Sequence, residues 1–330
     1  MLSTLPLPVV RTERPQLPTV SPQRHGGPPP LLVVGHGTRC LPGEEQFRSF
    51  IARVTALLVA EGVDVAGGLI ELAPPPVTDA AADLVALGHR HVVAVPLMLI
   101  AAGHAKGDIP AALEREVGRY PGLTYRYGGV LGPDPLVLAA LTERLDEVLD
   151  RSERAGTHVV LVGRGSTDPD ANSEVARASR LLLEAAAADG APLAGVETSF
   201  ISLAAPGVPA ALDRCRRLGG TRVVVLPLFM FTGVLPNRIV EQSRAWAAEH
   251  SGVEVRTAAV IGDCDLLAEV VVKRYAEAAA HAVRAHCDTC MYRVAIRGFA
   301  QRVGQPQTPH DHPDDPVSGH GHGHGHRRRA

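Results

Sequence analysis

Val33-Val34-Gly35-His36-Gly37-Thr38 is answered 128 residues later by Leu161-Val162-Gly163-Arg164-Gly165-Ser166. Each stretch is a short β-branched run that breaks at a Gly-x-Gly turn. Two further landmarks follow in the same order. Val95-Pro96-Leu97 is answered by Leu226-Pro227-Leu228 at an offset of 131, and Val130-Leu131-Gly132-Pro133-Asp134 by Val260-Ile261-Gly262-Asp263-Cys264 at 130. Three landmarks in one order at nearly constant spacing mark a duplicated chain with two homologous halves.

Between the landmarks, β-branched runs alternate with segments of helical period, the pattern of a parallel sheet covered by helices. The first half reads as strand 31–34, helix 44–59, strand 65–70, helix 77–87, strand 92–97, helix 109–117, strand 123–127 and helix 135–149. Within 44–59 the apolar positions Phe47, Phe50, Ile51, Val54, Leu57 and Leu58 recur at helical spacing. The expected fold is therefore α/β, with two duplicated, doubly wound parallel-sheet lobes over 31–150 and 157–285. Residues 1–30 are proline-rich and end in Gly26-Gly27-Pro28-Pro29-Pro30, which reads as a disordered leader. Residues 286–303 carry a Cys-x-x-Cys, and 304–330 read as a disordered His-rich tail.

Composition narrows the function. Of 330 residues 45% are hydrophobic and 21% charged, ordinary for a soluble globular protein and unlike collagen or a disordered chain. Thirty-three basic against 35 acidic side chains give a net charge of −2, which advertises no surface for nucleic acid or anionic lipid. No apolar run approaches the roughly 20 residues that cross a bilayer, and no signal pattern opens the chain, so a cytoplasmic protein is expected. A Gly-x-x-x-x-Gly-Lys-Ser/Thr loop, a dinucleotide-binding Gly-x-Gly-x-x-Gly after a strand and a Gly-x-Ser-x-Gly elbow are all missing from the sequence. Those gaps disfavour nucleotide-driven, Rossmann and serine-hydrolase chemistry.

The two halves differ where chemistry would sit. His36 aligns with Arg164, Glu71 with Ser202, and His104 with Val234. Each position falls at or just beyond the carboxyl end of an expected strand, the rim where open parallel sheets bind ligands. Singly, each has a plain reading as a capping or solvated residue. Jointly, two His and a Glu at three successive strand ends, lost together from the duplicate, are candidate catalytic and metal-binding residues. Imidazole binds divalent first-row metals and is a base near neutrality.

These residues resemble a known family. Gly35-His36-Gly37-Thr38-Arg39, Ile70-Glu71-Leu72-Ala73-Pro74-Pro75, and Val95-Pro96-Leu97-Met98-Leu99 leading to Gly103-His104-Ala105-Lys106-Gly107-Asp108-Ile109-Pro110 are similar to the sirohydrochlorin chelatases of the CbiX/SirB type. The resemblance is strong over 31–150, weaker over 157–280, and extends to the Cys-x-x-Cys and His-rich tail of the family's long form. It implies a type II chelatase fold with the substrate between two lobes. It also implies ATP-independent insertion of Co²⁺ or Fe²⁺ into sirohydrochlorin, on the way to cobalamin or sirohaem. His36 and His104 would hold the metal and accept protons, with Glu71 as third ligand or base. The substrate carries many carboxylates, so Arg39, Lys106 and Arg164 are candidate substrate-binding cations, although a solvated loop lysine would also explain Lys106.

Five cysteines are too few for a secreted disulfide framework. Cys287 and Cys290 supply two thiolates, whereas an iron–sulfur cluster takes four ligands, so a cluster needs His286, another Cys or a dimer partner. A redox-sensitive dithiol is the plain alternative. Six His after residue 305 can chelate metal without fixing one geometry, as a reservoir. Expected assembly is a monomer or homodimer. Two rival functions stand beside the chelatase: a non-enzymatic divalent-metal chaperone or store, and a related enzyme whose turnover on a tetrapyrrole needs no metal.

Overall fold

A computed structural model describes residues 27–284, 290–295 and 298–305. The expected leader up to residue 26, Cys287 and the His-rich tail from 306 lie outside the described residues.

The first half builds β1 (Leu31–Gly35), α1 (Leu41–Leu58), β2 (Val65–Leu69), α2 (Val77–Ala86), β3 (His91–Pro96), α3 (Ile109–Arg119), β4 (Thr124–Tyr127) and α4 (Pro135–Asp146). The second repeats the series with β5 (Thr157–Gly163), α5 (Pro169–Ala188), β6 (Gly195–Phe200), α6 (Val208–Arg217), β7 (Arg222–Pro227), α7 (Val234–Glu249), β8 (Glu254–Thr257) and α8 (Asp265–Ala279). Each half forms a four-stranded parallel sheet, ordered β2-β1-β3-β4 and β6-β5-β7-β8. The α/β, doubly wound expectation is met in both copies.

Local chemistry explains the boundaries. α1 starts at Leu41, three residues before the periodic run, because Pro42 sits in the first turn, where its missing N–H would bond nothing anyway. It ends in a 3₁₀ turn over Val59–Glu61 and then Gly62 at φ 69°. α3 is preceded by a π-helical turn, His104–Asp108, where the sequence suggested only a loop. Central β1 is buried at all five residues, so it reads as a continuous apolar run rather than an alternating one.

Three apolar layers result. Leu32, Val34, Val92 and Ala94 face α2 and α3, while Val160, Val162, Val223 and Val225 face α6 and α7. The alternate residues Leu31, Val33, Val93 and Val95, with Val159, Leu161, Val224 and Leu226, share one central core with α1, α4, α5 and α8. Within that core the halves exchange their last helices: α4 packs on β7, and α8 packs on β3, β4 and α1. Polar bonds fix the exchange. Arg274 on α8 donates to the carbonyls of Val130 and Leu131, and with Lys273 it pairs with Asp134, the N-cap of α4. Across the same interface, Arg53 on α1 pairs with Asp263 and Asp265 at the start of α8. Among the described residues no helix is long and apolar enough to cross a membrane.

The Asp134 carboxylate is 4% exposed and meets two cations and a helix N-terminus, whereas that of Asp265 is 72% exposed. Removing one partner of a buried pair leaves charge uncompensated, so Asp134→Ala is expected to cost about 3–5 kcal/mol of unfolding free energy. Asp265→Ala is expected to cost under about 1 kcal/mol. Urea denaturation of the two variants checks this; equal losses would show that the exchanged helix is not held through Asp134.

Candidate active site

The chain leaves β1 toward β2 on one side and returns past it to β3 on the other. A parallel sheet opens a crevice at such a reversal, beyond its carboxyl ends. His36 follows β1, Glu71 lies two residues past β2, and His104 opens the π-helical turn between β3 and α3.

Backbone contacts bring the first two loops together. The N–H groups of Ile70 and Glu71 donate to the carbonyls of Gly35 and His36 at 3.0 and 3.1 Å. Gly37 makes this approach possible: its φ is +113°, and a Cβ there would stand 1.8 Å from the Glu71 carbonyl oxygen. The second half keeps the same device. Gly165, at φ +87°, would place a Cβ 1.8 Å from the Ser202 carbonyl oxygen, and Ser202 donates to the Arg164 carbonyl. The duplicate thus preserves the scaffold and lacks the ligands.

In the first half the three side chains meet. One ligand atom each from His36, Glu71 and His104 lies within 4.8 Å of the others, which no other group of three or more such side chains achieves among the described residues. His36 Nδ1 lies 3.0 Å from the Gly37 carbonyl and Nε2 lies 2.9 Å from Glu71 Oε1. The Gly37 carbonyl can only accept, so a neutral imidazole that donates Nδ1–H to it would turn the Nε2 lone pair toward the carboxylate, where a divalent ion could lie between the two. The His104 ring stands edge-on to that of His36, centroids 4.3 Å apart. His104 is buried, and its Nδ1 bonds Asp108 Oδ2 at 2.7 Å, the ring–carboxylate contact that orients metal-binding imidazoles. Asp108 was legible only as an acid four residues after a His on one helical face.

His36 and His104 line a cleft of about 300 Å³, and Glu71 joins them through its contact with His36 rather than through the cleft wall. The first half gives it Phe47, Leu72 and Met98, and the second gives Phe229, Phe231 and Leu235, so its walls are apolar and come from both repeats. Of the three candidate cations, Arg39 and Arg164 line the cleft from opposite halves. Lys106 is not among its lining residues. Its ammonium instead donates to Asp168 and Asp170 of the second half at 2.7 and 3.0 Å. Burial pulls the Lys106 pKa down, but the two carboxylates more than offset this and hold it above the ordinary lysine value. This ion pair is not legible from sequence, because its members are more than sixty residues apart.

Residues 30–148 and 158–278 match the model of the CbiX family. A sirohydrochlorin cobaltochelatase of Priestia megaterium is 35% identical over 81% of this chain and 85% of its own length. A sirohydrochlorin ferrochelatase of Bacillus subtilis is 30% identical over 68% of this chain and 82% of its own. Among solved structures, SirB from Bacillus subtilis with Fe³⁺ superposes at a TM-score of 0.67, with 28% identity over 77% of this chain and 96% of that one. SirB from the subspecies spizizenii, in complex with cobalt, superposes at 0.62 with 26% identity and the same coverages.

Gly37→Ala forces the His36 and Glu71 loops apart, whereas Gly165→Ala imposes the same clash on the half without ligands. Both should lose on the order of 1–3 kcal/mol of stability. Only Gly37→Ala should also weaken Co²⁺ binding, by roughly 10–100-fold, since the carbonyl that holds His36 moves with it. Titration of Co²⁺ by visible absorbance distinguishes them; parallel losses of affinity would detach the trio from metal binding.

Proposed function

The chain belongs to the CbiX family, and from that premise we propose that it is a sirohydrochlorin chelatase, inserting Co²⁺ or Fe²⁺ into sirohydrochlorin without ATP. One observation carries this reading: His36, Glu71 and His104 converge beside an apolar cleft that the two imidazoles line and both repeats form. The flat macrocycle is largely apolar with charged arms, matching apolar walls with Arg39 and Arg164 at opposite sides to take carboxylates.

In this reading the trio binds the incoming divalent ion, with Asp108 and the Gly37 carbonyl fixing the two imidazoles. Three protein ligands leave coordination positions for pyrrole nitrogens. As four nitrogens take over the ion, two pyrrole N–H protons must leave. The imidazoles and the Glu71 carboxylate, released from the metal, accept them and pass them to water at the cleft mouth. Two N–H bonds give way to metal–nitrogen bonds and no oxidation state changes, so the exchange calls for no redox partner.

Cobalt is the first choice of metal. The relative matched over 81% of this chain is a cobaltochelatase, and imidazole-rich sites favour Co²⁺ over Fe²⁺. One chain supplies both cleft walls, which supports a monomer, and the protein would act in the cytoplasm. An iron–sulfur centre has weaker support. Cys290 joins no group of three or more ligand side chains among the described residues, and Cys287 lies outside them. The described residues do not make up a cluster's ligands.

Anaerobic absorbance of the protein mixed with sirohydrochlorin and Co²⁺ or Fe²⁺ tests the reading. The parent should drive a rapid metal-dependent spectral change, and the His36→Ala, His104→Ala double variant should lose at least about 100-fold in rate. No acceleration over the protein-free mixture with either ion would overturn the enzyme and leave a metal store. Turnover that persists in the double variant would point to metal-independent chemistry.

A further inference from the structure

Two kinds of contact join the halves beside the cleft. One kind obeys the repeat. Gln46 on α1 accepts from the Thr232 N–H at 2.8 Å, and its counterpart Glu174 on α5 accepts from the Ala101 N–H at 3.1 Å. The second kind breaks it. Lys106 reaches Asp168 and Asp170, but the equivalent positions are Pro236, Cys40 and Pro42, which cannot form an ion pair.

This asymmetric clamp sits on the element that carries His104. Lys106 lies two residues after it in the π-helical turn, and such turns are rare and frequently found at functional sites. The second half has no counterpart turn, because α7 starts directly at Val234. The first half braces the turn by itself at two points: Asp108 holds the His104 ring, and the half-buried Tyr127 hydroxyl donates to the Ala105 carbonyl at 2.8 Å. Lys106 is the brace that reaches the other half. Its partners are themselves fixed, since Asp168 caps α5 by accepting from the Asp170 N–H and its side chain is 3% exposed. A buried ion pair is a poor source of net stability compared with apolar packing, and its best-attested use is to fix one register between elements.

We propose that Lys106 is a positioning residue for metal insertion, locking the His104 turn onto Asp168 and Asp170 so that the half without metal ligands sets the place of His104 opposite His36 and Glu71. The inference rests on the chelatase reading for its kinetic consequence but not for its spectroscopic one. It gives the second repeat a part in the chemistry beyond serving as a wall.

Three variants test it: Lys106→Met, the charge-neutral triple Lys106→Met, Asp168→Asn, Asp170→Asn, and Lys106→Arg. The triple leaves no uncompensated buried charge, so it keeps the test open if the single variant fails to fold. Circular dichroism confirms folding before each measurement. In the folded variants without the cation, kcat for cobalt insertion should fall about tenfold while KM for sirohydrochlorin stays within about twofold. The visible d–d bands of bound Co²⁺ should shift, with about tenfold weaker Co²⁺ binding. Lys106→Arg can still bridge both carboxylates and should restore most of the rate. A folded triple variant with parental kcat and parental Co²⁺ bands would overturn the proposal and reduce the clamp to structural glue. If the parent inserts no metal, the chelatase reading fails by itself, and the Co²⁺ bands of the variants still decide whether Lys106 positions His104.

Discussion

The exchange of final helices between the two halves is the constraint on which the rest depends. Helix α8, the end of the second repeat, covers the first sheet beside α1, and α4 covers the second beside α5. Neither half therefore has a complete inner face of its own, and the central core exists only when both are folded. Arg274 closes this arrangement by bonding the backbone at 130 and 131 and pairing with Asp134. Because the core is close-packed, the lobes cannot slide without opening it, so the cleft beyond the strand ends has a set width. Side chains from different halves can then face one another at fixed distances.

Within that frame, duplication has been kept in the backbone and abandoned in the chemistry. Gly37 and Gly165 allow the same close loop crossing, at 1.8 Å from a would-be Cβ in each case. Gln46 and Glu174 make the same hydrogen bond across the interface. Yet the crossing carries His36 and Glu71 in one copy and Arg164 and Ser202 in the other. A backbone geometry this demanding persists because packing depends on it, whatever side chains it presents.

Much of this was legible in the sequence, for identifiable reasons. Strand β1 announced itself because a strand buried on both faces is an unbroken apolar run, and the repeat doubled the signal. The trio was legible because three strand-end positions lost their ligands together in the second copy. The helix exchange was not, since α4 and α8 have the same apolar stripes whichever sheet they cover. The fate of Lys106 was hidden for a related reason. Near His104 in a loop it reads as a cation for substrate, and only the fold brings Asp168 and Asp170 to it. The π-helical turn escaped because an extra residue in one turn leaves almost no trace in hydrophobic period.

A macrocycle has two faces and one central site, which explains why one set of ligands suffices. A metal-binding trio on both walls would offer two ions to four nitrogens, and the second ion would hold polar ligands and water against the face opposite insertion. The second repeat lines the cleft with Phe229, Met230, Phe231 and Leu235, and with Arg164 at the position that aligns with His36. An apolar wall excludes water from the ring, which strengthens the electrostatic pull of the nitrogens on the ion as it leaves its protein ligands. On the proposed reading, the Arg164 guanidinium at the degenerate site would repel a second divalent cation and attract a carboxylate arm. On the proposed reading, loss of His36 and Glu71 counterparts from the second repeat is a gain in function: one half would deliver the ion, and the other would hold the ring against it and keep the delivering histidine in place.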